Sequence, residues 1–114
     1  MSPSGAVLLI VSAGSRDEAE RIGEALVEAR LAACVSVIPV VHSFYRWEGR
    51  VQREHEALLL VKTTAARAEA AQARVIEDHS YELPEVLRLD VDGGSPKYLE
   101  WLASEVEGAP AEGA

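Results

Sequence analysis

Cysteine is nearly absent from the 114 residues: Cys34 stands alone. No intrachain disulfide can form, and nothing points to an oxidising compartment. Basic residues are scarce too, with 11 Lys+Arg against 19 Asp+Glu and a formal charge of −8. Binding to a phosphate backbone needs a basic stripe, so nucleic acid is excluded as a partner. The negative charge favours solubility and a weak attraction for cations. Long apolar runs are missing. Ala6 to Val11 is a run of six with no Lys or Arg before it. A secretory core needs about 7–15 such residues and a membrane span about 20. The expectation is a cytoplasmic protein without membrane contact. Catalytic signatures are lacking as well: no Gly-rich phosphate loop, no HExxH, no CxxC and no GxSxG. The chain is therefore not expected to be an enzyme. Its length suits one domain, and a domain this size buries only about 65% of its unfolded surface, so self-association would help it.

What the chain does have is a long β-rich stretch, Leu31 to Thr64. Two strands are expected there, Ala33 to Trp47 and Val51 to Thr63, around a turn at Glu48-Gly49-Arg50. Fifteen residues at roughly 3.3 Å each span about 50 Å, far more than an ordinary strand. The overhang must end, bend or pair with another chain. Pro39 marks a bulge or an edge, because it cannot donate to a central ladder. Phe44, Tyr45 and Trp47 crowd the tip, which suggests a subunit interface with a pocket in it.

The remaining elements follow from periodicity. Ala6 to Ser12 reads as a central buried strand. Ser15 and Glu18 form a capping-box pair before a helix to about Arg30, with Ala19, Ile22 and Leu26 inward. Thr63 or Thr64 caps a second helix to Asp78, with Ala68, Ala71, Val75 and Ile76 inward. Glu85 to Val91 alternates as a strand. Ser95 and Pro96 open a third helix carrying Leu99, Leu102 and Val106 on one face. The order gives an α+β, ferredoxin-like βαββαβ domain over 6–106, with an extra C-terminal helix and flexible tails at 1–5 and 107–114. Two helices cover one sheet face; the other needs self-association.

Several side chains could carry chemistry. Cys34 is either a small buried hydrophobe or a soft ligand or thiol nucleophile. His79 ends the second helix. It serves either as a cap favoured by the helix dipole or as a metal ligand. With Tyr81 and Glu82 it puts an imidazole, a phenol and a carboxylate within one turn. His42 and His55 read as surface or interface residues. Lys62 either snorkels to water or, if subunits close over it, becomes a buried cation needing Glu56, Glu82 or an anionic ligand. Tyr45 and Trp47 alternate onto one face, as packing or as a stacking platform for a small ligand. A phosphate-handling hydrolase of acylphosphatase type would need an arginine loop before the first helix. Gly14-Ser15-Arg16 is a faint version of one, and the charge opposes it.

Four segments, LAACV, SFYRWEG with EALLLVKTT, HSYELPEV and GGSPKYLEWL, together resemble the CutA divalent-cation tolerance family. They cover nearly the whole chain, from Val7 to about Val106. The resemblance implies a compact homotrimer in which the hairpin overhang pairs with a neighbour. It also implies tolerance to divalent metals, copper above all, through a metal or small molecule bound in inter-subunit clefts. Matching the ACV motif adds Cys34 to the ligand-binding set of Tyr45, Trp47, Glu56, Lys62, Tyr81 and Glu82. The family's HPYE is His79-Ser80-Tyr81-Glu82 here, without the proline. Family positions associated with copper, a Cys late in the first strand and two His before PYE, carry Val11, Asp78 and His79. Asp78 and His79 are thus the expected metal pair, weak and preferring Cu²⁺ over Zn²⁺ and Ni²⁺. The alternatives are a trimeric small-molecule sensor akin to PII proteins, or a small hydrolase using the same clefts.

Overall fold

A computed structural model describes residues 4–107. Of the tails expected at 1–5 and 107–114, residues 1–3 and 108–114 lie outside the described residues. Ser4 and Gly5 are tied to the sheet: Ser4 Oγ donates to the Val91 carbonyl, and Gly5 O accepts from Ala65 N at 2.9 Å. The order is β1 (Ala6–Ala13), α1 (Arg16–Glu28), β2 (Cys34–Trp47), β3 (Arg50–Thr64), α2 (Ala65–Asp78), β4 (Val86–Asp90) and α3 (Pro96–Val106). The sheet is antiparallel in the order β2-β3-β1-β4, the ferredoxin-like α+β pattern with one helix added.

β1 lies inside the sheet, between β3 and β4, which is why its sequence is almost wholly apolar. Val7, Leu9 and Val11 point to the helix side. There they meet Leu59 and Val61 of β3, Ala19, Ile22 and Leu26 of α1, and Ala68, Ala71 and Val75 of α2. Small residues let the helices approach closely. At Gly23 an added Cβ would lie 3.0 Å from Val35 Cγ1, so α1 can sit on β2 only without a side chain there. Ile76, expected inward, is 49% exposed. The repeat 68, 71, 75 fills the buried stripe, and the next position is rotated about 100° away from it.

Three local details differ from expectation. The hairpin turn has two residues, Glu48 and Gly49, with φ of 51° and 81°, because Trp47 already pairs with Arg50. Positive φ at both central residues matches the right-handed twist of the flanking strands. Thr64 occupies the N-cap of α2 without a side-chain cap bond, and Thr63 Oγ1 donates instead to Leu31 O at 2.8 Å. Helix α1 stops at Glu28, and Arg30 follows with φ 57°. Its guanidinium donates to Glu105 O at 2.9 Å and so caps the end of α3.

The bulge at Pro39 is present. Ile38 pairs with Leu58 and Val41 with Glu56, so Pro39 and Val40 together oppose Ala57. One extra residue in β2 reverses which of its side chains face which way. Cys34, Ser36 and Ile38 share a face with Lys62, Leu60 and Leu58. Beyond the bulge, Val41, Ser43, Tyr45 and Trp47 continue that face beside Glu56 and Glu54.

This second face is poorly covered. Leu8, Ile10, Leu58 and Leu60 are half-buried, while Leu87 and Leu89 of β4 are 56% and 45% exposed. α3 shields only one end, packing Leu102 and Val106 on Ala6 and Ala33. Residues 50–56 of β3 extend past the end of β1, which pairs only with 57–64. Leu59, fully buried in the helix-side core, tests the other face. Leu59→Ala should lower the unfolding free energy by about 2–5 kcal/mol, read from urea midpoints with an unchanged denaturant slope.

Candidate functional site

The site begins with a buried carboxylate. Ser15 caps α1 by accepting from Glu18 N at 3.1 Å. Glu18 turns back, as a capping-box acid does, and accepts from Gly14 N at 3.3 Å. It also takes two bonds from a segment 62 residues away: Ser80 N to Oε2 at 2.8 Å and Ser80 Oγ to Oε1 at 2.9 Å. Burial raises the Glu18 pKa. The Ser80 and Gly14 donors outweigh burial and hold it below the usual carboxylate range. Ser80 stands where the resembled motif has proline. A proline has no N–H and no hydroxyl, so it could make neither bond to Glu18.

His79 is locked beside it, with a side chain 0% exposed. Its Nε2 lies 2.6 Å from Ser12 O, and Nδ1 is 3.1 Å from Tyr81 N. A carbonyl needs a donor and an N–H needs an acceptor, so the bonds assign the neutral Nε2–H tautomer. No ring nitrogen is left for a metal. Asp78 pairs instead with Arg74, Nε to Oδ2 at 2.9 Å, as an i,i+4 pair on α2. The two side chains of the expected His79–Asp78 metal pair thus have different hydrogen-bond partners in this structure. Among the described residues, no three His, Cys, Asp or Glu side chains converge as a metal-binding group.

By fixing His79 and Ser80, this cluster aims Tyr81 at the hairpin. Tyr81 Oη donates to Glu56 Oε2 at 2.7 Å, and Glu56 is 9% exposed. Burial, then the bond to Glu56 and its charge, push the Tyr81 phenol well above its ordinary pKa. Tyr45 repeats the motif near the tip, donating to Glu54 Oε1 at 3.0 Å. Desolvation and Glu54 raise its pKa as well. These groups line a cleft of about 780 Å³ on the poorly covered face, together with Trp47, Arg46, Glu82 and Glu85. Four carboxylates and one guanidinium give it a negative balance, and its aromatic walls suit a flat or cationic guest.

Five of the seven expected ligand-binding residues, Tyr45, Trp47, Glu56, Tyr81 and Glu82, come together in this cleft. Cys34 and Lys62 do not. They face each other across β2 and β3, with Lys62 Nζ 3.7 Å from Cys34 Sγ and 2.6 Å from Ser36 Oγ. Lys62 thus finds a hydroxyl rather than Glu56 or Glu82. Sequence reasoning missed Glu54, whose alternation with Glu56 on one strand was the available signal. It also missed Glu18 as a hub; its capping-box spacing announced only a helix start.

The fold and cleft define a small ferredoxin-like α+β domain with an acidic, aromatic-walled cleft on one sheet face. Comparison places it more narrowly. The family described as CutA1 divalent ion tolerance protein matches residues 7–105. The divalent-cation tolerance protein CutA of Thermus thermophilus is 42% identical over 95 residues, covering 83% of this chain and 92% of that protein. The crystal structure of CutA from Xylella fastidiosa superposes with a TM-score of 0.88 at 38% identity, covering 90% of this chain and 99% of that one. CutA from Synechococcus elongatus gives 0.88 at 36% identity, covering 94% and 95%. Chloroplastic CutA of Arabidopsis thaliana is 40% identical over 84% of this chain, which spans 53% of that relative. The chain thus spans about half the length of the plant relatives it matches. This chain belongs to the CutA divalent-ion tolerance family.

Glu18 gives a pH prediction with a definite sign. Its folded pKa is depressed, so its stabilisation is present above the unfolded value and is lost as pH falls through the folded one. Unfolding free energy should therefore drop below about pH 4.5 in the natural chain and fall less steeply in Glu18→Gln. At pH 7 the variant should be weaker by roughly 1–3 kcal/mol, since the carboxylate's buried donors lose a charged acceptor. Chemical denaturation across pH 3–7 reads both.

Proposed function

We propose that this chain acts as a homotrimeric divalent-cation tolerance protein that binds a divalent cation or a small cationic molecule in a cleft between subunits. One observation carries the reading: Glu54, Glu56, Glu82 and Glu85 line a cleft walled by Tyr45, Trp47 and Tyr81, beside an uncovered sheet face. Copies of the chain are the occupant that fits that face, because the hairpin overhang has free edges to pair. Binding rather than turnover is supported by the phenols, which engage Glu54 and Glu56 as hydrogen-bonded acceptors.

The cleft lining has carboxylates and phenols but neither imidazole nor thiolate. Oxygen donors suit Mg²⁺, Mn²⁺ or Ca²⁺, so this cleft gives copper no preference. The sensor reading draws support from Tyr45 and Trp47, 40% and 43% exposed and ready to stack on an organic cation. Calorimetry with Mn²⁺ separates these readings. Heat that disappears in Glu56→Gln and Glu82→Gln places a metal in the cleft. No Mn²⁺ heat, with a melting rise on adding an aromatic-stacking amine, favours the organic ligand. Neither response would remove the cleft as a binding site.

The hairpin tip should contribute to association. Trp47→Ala is expected to make the melting temperature depend on protein concentration in the micromolar range, where the natural chain shows little dependence. An unchanged melting curve in the variant would assign the ring to the ligand alone.

A further inference from the structure

The other two imidazoles of the chain lie on the opposite face of the hairpin from the cleft. His42 and His55 are direct cross-strand partners in β2 and β3, and both are exposed. Their ring centroids are 4.5 Å apart, with planes at 68°. The Pro39–Val40 bulge sets this up. It turns His42 away from the carboxylate cleft and onto the face that β3 gives to His55, Ala57 and Leu59. Unlike His79, neither ring has a protein hydrogen bond among the described residues. On the same face, Arg53 sits 5.2 Å over the Phe44 ring.

We propose that His42 and His55 form a cross-strand chelate for a first-row divalent cation of the Cu²⁺, Zn²⁺ or Ni²⁺ type. Two imidazoles bound to one tetrahedral ion, at metal–nitrogen distances of about 2.0–2.1 Å, place their ring centroids roughly 5 Å apart. The observed spacing is close to that, so small side-chain rotations bring one nitrogen of each ring onto a shared ion. Strand pairing fixes the two Cβ atoms, and the rings need little reorganisation to bind. Imidazole suits Cu²⁺, Zn²⁺ and Ni²⁺, with Cu²⁺ highest in the Irving–Williams order. Water completes the coordination shell, and the chain's net charge of −8 favours the approach of a cation. A bound ion also clamps β2 to β3 within the overhang. This site needs neither the carboxylate cleft nor the trimer, and it uses a different class of metal from the cleft.

The test uses the full chain with Zn²⁺ in calorimetry and Cu²⁺ in electron paramagnetic resonance. Removing either imidazole turns a chelate into a single contact, so His42→Ala and His55→Ala should each weaken Zn²⁺ binding by roughly 100-fold. The double variant loses the remaining contact and should bind more weakly than either single one. Glu56→Gln should leave Zn²⁺ binding unchanged, which separates this site from the cleft. On the natural chain, the Cu²⁺ spectrum should show hyperfine splitting from two nitrogens, a readout independent of how the variants fold. A single-nitrogen signal, or Zn²⁺ affinity unchanged in either single variant, overturns the proposal. Edge-on packing of two neutral rings without metal affinity would then be their whole role.

Discussion

A four-stranded sheet has two faces, and α1 and α2 cover only one of them. The rest of the molecule follows from this constraint. Val7, Leu9, Val11, Leu59 and Val61 are sealed under the helices at 0–1% exposure, while Leu87 and Leu89 on the opposite side stand open. α3 is too short and too far to one end to close the gap. Apolar side chains left on a sheet face cost free energy in proportion to the area wetted, about 25 cal/mol per Å². The overhanging hairpin adds unpaired backbone edges to that cost. Both are relieved together if copies of the chain pack face to face around the same sheets.

The bulge couples this face to the cleft. Without the extra residue at Pro39–Val40, Tyr45 and Trp47 would point with the helices, and His42 would point into the carboxylates. With it, the aromatic residues join Glu54 and Glu56, and the two histidines are set apart on the opposite side. One irregularity thus sorts hard oxygen donors from imidazoles on a single hairpin. The buried Glu18 cluster does the complementary work from the other end of the sheet. It holds His79 and Ser80, and through them the phenol that touches Glu56.

Much of the fold was legible because its signals are local. Strand and helix order followed from period-two and period-3.6 patterns. The bulge followed from one proline, and the start of α1 from the Ser15–Glu18 spacing. The site was less legible because its decisive contacts are long-range. Nothing near His79 in the chain reveals that Ser12 O lies 2.6 Å from its ring. The ring is buried, with both of its nitrogens in hydrogen bonds. The serine at position 80 looked like the loss of a stiffening proline, whereas in space it supplies two donors to Glu18. Ile76 was misplaced because several apolar residues in an alanine-rich helix fit more than one stripe. The His42–His55 pair was visible only as two surface histidines until strand register set them opposite each other.

Closure of the open sheet face by copies of this chain is the central claim, and mass in dilute solution tests it most directly. Light scattering at micromolar concentration should give about three times the 12.3 kDa of one chain. A species of 12.3 kDa, stable and folded with Leu87 and Leu89 in water, would contradict it.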